Sequence, residues 1–303
     1  SGVPQGSILG PLLFIIFINC IDDIATLISI IRKFADDTKL GQTIKNDSDR
    51  EILQNCLNNL FKWATDWGME FNVDKCSVLH FGHRNPKFEY TMNNTKIKQC
   101  DNERDIGVTV SSNLKPSNHC HDIARKANFA LNQILKCFHY RDKIVFLNMY
   151  KQRVRPILEF SCPAWNPWLK SDIDVLEKVQ IKAVNAISTL KSKTYPEKLN
   201  ELKLMSLETR RTRYDLVQVY KTLKSIDKVN SNTWFKTVGE NSTRATRLTD
   251  YELNLVKPRA RLDMRSYFFS HRVIDKWNQL PTLVKNRPSV KSFKNAVDNY
   301  LVN

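Results

Sequence analysis

The sequence predicts an α+β fold, in which short strands and helices share the first 112 residues and helices dominate the remainder. Two observations carry this prediction. Short runs of β-branched and aromatic residues, such as 30–34, alternate with turn residues in the first part. Further on, apolar residues recur at helical spacing, as in the series Leu176, Val179, Ala183 and Ile187. A chain of 303 residues with 42% hydrophobic content is long enough to bury a core and suggests about two domains.

The chain opens with a glycine-bearing loop, Ser1 to Ser7, and a helix starts at Gly6-Ser7. The apolar body of this helix runs to Ile18. Gly2 and Gly6 have no side chain, so a ligand can approach the backbone closely. The N–H groups of the loop and of the helix N-terminus are able to face a phosphate. We therefore expect contacts with a nucleotide or a template at this loop.

Two adjacent carboxylates, Asp36 and Asp37, lie between the strand-like runs 30–34 and 38–44. This pattern predicts a hairpin with both acids at its tip. Like charges a few ångströms apart repel each other, and a divalent cation relieves that repulsion. Mg²⁺ takes one or two protein carboxylates together with waters and substrate phosphates. Asp36 and Asp37 are therefore candidate ligands of Mg²⁺.

A second acidic pair, Asp22 and Asp23, provides an internal comparison. It follows the apolar run from Leu12 to Ile18, so its context is a helix end rather than a turn between strands. An acidic pair is thus a weak indication when taken alone. For Asp22 and Asp23 the sequence favours a solvated helix terminus.

The rest of the first part contains one long helix and several short strands. Acidic and hydroxyl residues at 47–51 predict a helix N-terminus, and Gly68 predicts the end of the same helix. A strand is expected at 77–81, and two strand-like pieces flank Asn93-Asn94 within 90–110. The long helix has its apolar positions three or four residues apart, at Ile52, Cys56, Leu60, Trp63 and Trp67.

Helical patterns dominate after Pro116. The expected helices lie near 117–138, 142–160, 171–189 and 195–224, and a last helix spans Ser266 to Gln279 before Pro281. Residues 228–250 are rich in Asn, Ser and Thr and have few apolar anchors, so we expect a loop or linker there.

The charge of the chain is concentrated in its second part. Residues 1–112 hold 12 lysines and arginines against 14 acidic residues, whereas residues 113–303 hold 35 against 17. The two parts thus carry −2 and +18 of the net charge of +16. A near-neutral segment joined to a strongly positive one favours binding to phosphate backbones.

Two basic clusters lie beside aromatic residues. Cations neutralise phosphates and rings stack on bases, so this mixture suits a single-stranded nucleic acid. The alternative is that Phe268 and Phe269 belong to the core and that the arginines form a solvated face. The first cluster is Arg210, Arg211 and Arg213 beside Tyr214, and the second is Lys257, Arg259, Arg261 and Arg265 before Tyr267, Phe268 and Phe269.

Cysteine and histidine usage does not predict a metal module. The seven cysteines are widely spread and include no CxxC pair, which favours reduced thiols in an intracellular protein. His119, Cys120 and His121, with Cys137 and His139, have zinc-binding side chains, but His119 and His121 diverge by about 200° on a helix. We expect structural roles for them. The longest apolar run is well short of the roughly 20 residues of a membrane span, so no membrane partner is expected.

Three motifs in order resemble those of reverse transcriptases of non-LTR retrotransposons, of the jockey-like and related LINE groups. Ser1 to Ser7 resembles motif B, Phe34 to Asp37 resembles the metal-binding motif C, and Asn72 to Cys76 resembles motif D. Segments from Asn113 to Asn128 and from Trp277 to Pro281 resemble those that follow the palm in these proteins.

The resemblance implies RNA-templated DNA synthesis with Mg²⁺, by a two-metal mechanism. Asp36 and Asp37 correspond to metal ligands, and Pro4, Gln5 and Gly6 to residues near the incoming nucleotide or the template. Lys75 corresponds to a positive charge near the leaving pyrophosphate and a general acid, although a solvated lysine after a turn is the simpler alternative. The implied partners are an RNA template, a DNA primer or target, and dNTPs. The nucleus is the compartment that suits copying onto chromosomal targets.

The resemblance also implies an architecture. Residues 1–112 correspond to the C-terminal half of a right-hand palm, with helices on a small antiparallel sheet. Residues 113–227 correspond to a helical thumb-like region, and residues 228–303 to a linker and a basic helical region.

One departure from the family pattern concerns motif A, which carries a further metal-binding Asp upstream of motif B. No motif A is present, so the two-metal site is incomplete in this chain. We expect this stretch to be inactive alone and to need the N-terminal part of the same polyprotein. The alternative is a non-catalytic remnant that retains nucleic-acid binding. A hydrolase has little support, because the histidines form no evident triad.

Overall fold

The computed structural model describes residues 6–24, 28–138, 142–241 and 253–302. It divides into two units. Unit 1 contains the residues up to 103 together with 111–113, and unit 2 contains residues 104–110 and those from 114 onward. The mixture of helices with small sheets confirms the predicted α+β class.

Unit 1 combines helices with short strands. Its helices are α1 (Leu9–Asn19), α2 (Ile21–Ile24) and α3 (Asp47–Asp66), with a 3₁₀ turn at Val73–Lys75. Its strands are β1 (Ile30–Phe34), β2 (Asp37–Gly41), β3 (Ser77–Leu79), β4 (Thr91–Met92), β5 (Thr95–Lys96) and β6 (Lys98–Cys100). The hairpin of β7 (Asn102–Asp105) and β8 (Val108–Ser111) contributes residues to both units.

The sheets of the described residues are four separate pairs of strands rather than the single small antiparallel sheet that was expected. β1 pairs with β2 and β4 with β5 in antiparallel register, but β3 pairs with β6 in parallel. At the β4–β5 turn, Asn93 and Asn94 have φ of 50° and 58°, as a two-residue hairpin turn requires.

The long helix α3 organises the core of unit 1. Asn46 is its N-cap: the side chain accepts from the backbone N–H of Asp49, whose carboxylate accepts from the N–H of Asn46. Gly68, with φ of 68°, follows its end, as predicted. The buried residues of α3 pack with those before it, namely Ile18, Ile21, Ile28, Cys56, Leu60, Trp63 and Ala64.

Unit 2 is mainly helical. From residue 114 to residue 223 its helices are α4 (Ser117–Cys137), α5 (Lys143–Met149), α6 (Arg155–Glu159), α7 (Cys162–Trp165), α8 (Lys170–Asn185), α9 (Tyr195–Glu201) and α10 (Leu207–Leu223), with a π-helical stretch at Tyr150–Val154 and a 3₁₀ turn at Ser188–Leu190. After α10 follow α11 (Ser231–Trp234), α12 (Val238–Asn241), α13 (Asp263–Ser266), α14 (Phe269–Asn278), α15 (Thr282–Lys285) and α16 (Val290–Val302).

The helix predicted at 195–224 is two helices, α9 and α10. The chain turns at Lys203, which has φ of 49°. The backbone N–H of Leu207 then donates to the Glu177 carboxylate, at 3.0 Å to Oε2, and the Ser206 hydroxyl caps α10 by accepting from Thr209 N at 3.0 Å. In the loop predicted at 228–250, α11 and α12 form short helices, and residues 242–250 lie outside the described ranges.

Two buried clusters form the core of unit 2, and α10 joins them. It places Leu207 in the first cluster and Leu216 and Tyr220 in the second. The expected boundary near residue 227 lies just after this helix. The first cluster is centred on α4, α6 and α8, and the second on α10, α14 and α16.

No helix within the described ranges combines the length and the apolar character needed to cross a membrane. All seven cysteines are free thiols.

Candidate functional site

The candidate metal site is the turn of the β1–β2 hairpin. Phe34 pairs with Asp37 across the two strands, so the turn consists of Ala35 and Asp36. Asp37 is the first residue of β2, and both carboxylates are exposed. Ala35 has φ of 53°, a positive value of the kind that two-residue hairpin turns use. The predicted hairpin is confirmed, with both acids at its tip.

Lys33 ties the hairpin to the end of α1. Its Nζ donates to the Ile18 carbonyl at 3.1 Å and to Asn19 Oδ1 at 3.2 Å, and it lies 2.9 Å from Oδ2 of Asp22. A cation at this helix end also interacts favourably with the helix dipole. Asp22 lies in the short helix α2 and is half-exposed, but its carboxylate neutralises Lys33. It is therefore an ion-pair partner rather than a purely solvated terminus.

Asp36 and Asp37 offer donors that suit Mg²⁺. The two carboxylates are adjacent and exposed, and no residue of the described ranges forms an ion pair with either of them. Waters and substrate phosphates complete the coordination of Mg²⁺ in sites of this kind. A third protein ligand is not close by, because the described residues contain no group of three or more His, Cys, Asp or Glu that could hold a metal ion.

The glycine loop before α1 is only partly described. Gly6 has φ of 84°, and no atom of the described residues lies within 4 Å of the position that a Cβ would take. The Ser7 hydroxyl accepts from the backbone N–H of Gly10 at 3.0 Å and thereby caps the first turn of α1. Pro4 and Gln5, the other predicted nucleotide or template contacts, lie outside the described residues.

Lys75 ends the 3₁₀ turn Val73–Lys75, and its side chain is exposed. Its backbone N–H donates to Asn72 Oδ1 at 3.3 Å, so Asn72 fixes the local backbone. Lys75 lies in the same unit as Asp36 and Asp37. No hydrogen bond or ion pair within the described part of unit 1 joins Lys75 to either acid.

The arginines of the first predicted basic cluster form contacts with other residues of unit 2. Arg210 forms a two-pronged ion pair with Glu159, and Arg213 forms one with Asp298. Arg211 is only 1% exposed, and its Nε donates to Asn166 Oδ1 at 3.1 Å. Burial lowers the pKa of Arg211. Arg210 and Arg213 are thus held in ion pairs, whereas Nη1 and Nη2 of buried Arg211 have no hydrogen-bond partner among the described residues. Contact of these three side chains with a nucleic acid stays a prediction.

The second basic cluster is on the surface. Arg259, Arg261 and Arg265 are exposed, and Lys257 forms an ion pair with Asp275 of α14. The aromatic residues that follow are divided. Phe269 is buried in the second core cluster, as the core alternative predicted.

The neighbouring Phe268 is exposed, contrary to the same alternative. The chain turns at the start of α14, so consecutive rings point to different environments. Sequence reasoning missed the partners of these rings, which are Trp168 against Tyr267 and Trp234 against Phe268. They come from distant parts of the chain, and no local pattern indicates the pairing.

His119 has a structural role. It is 2% exposed, and its Nδ1 accepts from the backbone N–H of Thr109 at 3.1 Å. Trp165 packs edge-on against its ring at 4.8 Å. Burial lowers the pKa of His119 to about 4, so the ring is neutral near pH 7. His121 is exposed, and His139 lies outside the described residues.

Comparisons with known proteins agree with the motifs. Residues 1–101 match the family model for reverse transcriptase (RNA-dependent DNA polymerase). The chain is 25% identical over 199 residues to the RNA-directed DNA polymerase from mobile element jockey of Drosophila melanogaster. It is 25% identical over 197 residues to the probable RNA-directed DNA polymerase from transposon X-element of the same species, and 24% identical over 199 residues to the jockey polymerase of Drosophila funebris.

Each of these matches covers 62% of this chain and 22% of the relative. The chain therefore corresponds to a minor part of the length of these relatives. No solved structure matches it significantly. The resemblance to reverse transcriptases of non-LTR retrotransposons is confirmed by the family model and the three relatives.

Proposed function

We propose that this chain is part of an RNA-directed DNA polymerase of a non-LTR retrotransposon, in which Asp36 and Asp37 hold Mg²⁺. The observation that supports this proposal is the position of two exposed carboxylates, without an ion-pair partner among the described residues, at the tip of a hairpin. That hairpin lies within the region that matches the reverse transcriptase family. The substrates are an RNA template, a DNA primer or target, and dNTPs.

Asp36 and Asp37 bind the cation and hold it at the edge of unit 1, where the exposed turn leaves room for a phosphate. Mg²⁺, when bound, supplies charge stabilisation to the phosphate oxygens during nucleotide addition. Lys33 and Asp22 position the hairpin relative to α1, and do not themselves reach the turn. Lys75 and the loop containing Pro4, Gln5 and Gly6 contact the nucleotide, the template or the pyrophosphate in this proposal.

The metal site needs ligands from elsewhere in a longer protein. Two carboxylates supply only part of a two-metal site, and the described residues add no third ligand. The matched relatives are much longer than the matched region. We therefore expect this stretch alone to bind a divalent cation weakly and not to extend a primer.

Cation binding by this chain tests the role of the two acids directly. Mn²⁺ substitutes for Mg²⁺ and is followed by electron paramagnetic resonance. Asp36→Asn and Asp37→Asn should each weaken Mn²⁺ binding by about tenfold or more, a size usual for disturbed metal sites. Asp66→Asn removes an exposed carboxylate at the end of α3 in the same unit and should leave binding unchanged.

Primer extension on an RNA template tests the activity. The assay compares this chain with a version extended to include the preceding part of the polyprotein, each with and without Asp36→Asn. We expect extension only by the longer protein, and its loss with Asp36→Asn. If the longer protein binds RNA but incorporates no nucleotide, the non-catalytic remnant is the correct interpretation.

A further inference from the structure

We infer that a surface of unit 2 formed by Trp234, Arg259, Arg261, Arg265, Tyr267 and Phe268 binds a single-stranded nucleic acid, by stacking on its bases and neutralising its phosphates. We call it the basic-aromatic surface. The inference rests on the proposed function for its kind of ligand, but it concerns a different unit from the carboxylates. It therefore predicts binding that does not depend on Asp36 and Asp37.

The cations of this surface are available for phosphates. Arg259, Arg261 and Arg265 are exposed, and no acidic residue of the described ranges forms an ion pair with them. Several other arginines in the described part of unit 2 form ion pairs, such as Arg210 with Glu159 and Arg272 with Asp215. These three guanidiniums lie within seven residues, in a part of the chain with a charge of +18, and form a local site of positive charge.

The aromatic rings of the surface are exposed and already ordered. Tyr267, Phe268 and Trp234 are 40%, 45% and 40% exposed. Tyr267 stacks on Trp168 with the ring centroids 5.0 Å apart and the planes 3° apart, and Phe268 stacks on Trp234 at 6.1 Å and 9°. The consecutive residues Tyr267 and Phe268 thus each form a pair of nearly parallel rings at the surface. Exposed rings of this kind provide platforms on which unpaired bases stack.

Arg265 links the charged and aromatic parts of the surface. Its guanidinium carbon lies over the Phe268 ring, 5.5 Å from the centroid. A phosphate bound by Arg265 would therefore bring the attached nucleotide within reach of the Phe268 ring. The cation and the ring are therefore adjacent, which is the combination that binds single-stranded nucleic acids.

The chain leading to Arg259 is held in place by α14. His271 Nε2 donates to the carbonyl of Pro258 at 2.7 Å, and Trp277 Nε1 donates to the carbonyl of Leu253 at 2.9 Å. Asn278 binds both backbone groups of Leu255, accepting from its N–H at 2.8 Å and donating to its carbonyl at 2.9 Å. Trp277 and Asn278, the first two residues of the Trp277 to Pro281 segment, thus anchor the chain that leads to Arg259.

This anchoring favours binding because less conformational entropy is lost when a ligand arrives. A preformed segment that carries unpaired cations beside preformed ring pairs also favours a single strand over a duplex, since paired bases hide their faces. RNA and DNA share this chemistry, and a preference for RNA would indicate contacts with the 2′-OH.

Fluorescence anisotropy with a labelled single-stranded RNA tests the inference on the whole chain. Arg259, Arg261 and Arg265 are changed to Ala together, and a control protein has Lys178, Lys191 and Lys224, three exposed lysines of unit 2, changed to Ala. The arginine variant should lose about tenfold or more in affinity, and the slope of log K against log salt should fall by about 2. Equal losses in the two triple variants would overturn the inference, because general charge would then explain the binding.

The rings are tested in the same assay. Phe268→Ala should weaken binding by about fivefold or more, and Phe268→Tyr, which keeps a ring, should restore it. Phe160→Ala removes another exposed ring of unit 2 and should have no effect. Circular dichroism melts verify that each variant is folded. Unchanged affinity in Phe268→Ala, or tighter binding of duplex than of single-stranded RNA, would contradict stacking.

The outcome is separable from that of the proposed function. RNA binding by the unchanged chain should persist when EDTA removes divalent cations, although primer extension by the longer protein requires Mg²⁺. A protein that binds no RNA at low salt would overturn the inference and would favour a protein partner for this surface. Primer extension by the longer protein would then still support the polymerase. DNA of the same sequence, used in parallel, shows whether the surface distinguishes the two sugars.

Discussion

Arg272 holds the carboxylate of Asp215 with two hydrogen bonds, from Nε to Oδ2 at 2.9 Å and from Nη2 to Oδ1 at 2.8 Å. The same guanidinium donates to the carbonyl of Pro163 at 2.7 Å, and Asn166 Nδ2 donates to Asp215 Oδ2 at 2.9 Å. Asp215 is buried in α10, and Arg272 belongs to α14. Charge-assisted bonds of this two-pronged kind are strong and directional, so the pair connects α10 with α14 and with the segment around α7.

The first prediction concerns the loss of this pair. Asp215→Ala leaves the Arg272 guanidinium, which is 14% exposed, without its carboxylate partner. Removal of one partner of a buried ion pair typically costs 3–5 kcal/mol, so we expect the free energy of unfolding of unit 2 to fall by about 3 kcal/mol. Urea denaturation followed by circular dichroism measures the change.

Asp174→Ala is the matched control. Asp174 pairs with Lys170 at 3.6 Å on the surface of α8, and the two side chains are 47% and 83% exposed. Such pairs contribute less than about 1 kcal/mol. A loss in Asp215→Ala no larger than that in Asp174→Ala would show that the Arg272 contact does not hold the helices together.

The second prediction is a dependence of stability on pH, from His119. Protonation would place a hydrogen on Nδ1, which accepts from Thr109 N in the folded protein, and would bury a charge. Burial is the main cause that lowers the pKa of His119 from 6.5 to about 4; Lys126 and Arg104 also lower the pKa, and Asp122 opposes them. The unfolded chain therefore binds more protons than the folded one between these values.

The free energy of unfolding therefore decreases as the pH falls. The contribution of neutral His119 to stability is fully present above pH 6.5 and is lost as the pH falls toward 4. A shift from 6.5 to about 4 corresponds to a loss of about 3 kcal/mol at the lower end. His119→Gln keeps an acceptor for Thr109 N but does not titrate. We expect the chain with His119 to lose more stability between pH 6.5 and pH 4 than the Gln variant, in parallel urea titrations. Identical pH profiles would contradict the prediction.

The parts of the fold that the sequence predicted are those set by local patterns. The hairpin at Asp36 and Asp37 follows from two strand-like runs and a two-residue turn, and α4 follows from its apolar periodicity. Helix α16 was missed although Val290, Phe293, Val297 and Leu301 show the same spacing, so its signal was available.

The parts that could not be predicted depend on distant residues. The break between α9 and α10 is stabilised by Glu177 of α8, whose carboxylate receives the backbone N–H of Leu207. The sequence predicts a surface cation at Arg211. In the structure this side chain is buried on α10 and donates to Asn166, which lies far away in the sequence. For the candidate site, the acidic turn was predictable, whereas the support of Lys33 by Asp22 was not, because nothing local indicates that pair.

The third prediction concerns the backbone of the acidic turn. Ala35 has φ of 53°, which costs an alanine more than a glycine, and a glycine is the usual first residue of a two-residue turn with this sign of φ. Ala35→Gly should therefore stabilise the hairpin, by up to about 1 kcal/mol after the greater freedom of glycine in the unfolded chain is included. Hydrogen exchange of the amides in 30–41, measured by mass spectrometry, should become slower.

Ala64→Gly, in the same unit, should destabilise its helix instead of stabilising it. Ala64 is 1% exposed inside α3, where glycine costs about 1 kcal/mol in helix propensity and also removes a buried methyl group. Exchange in α3 should therefore become faster. Faster exchange of the hairpin in Ala35→Gly would mean that the alanine is not strained there. Asp36 and Asp37 keep their side chains in Ala35→Gly, so Mn²⁺ binding should persist. The variant therefore distinguishes the effect of backbone strain in the turn from the effect of losing a carboxylate ligand.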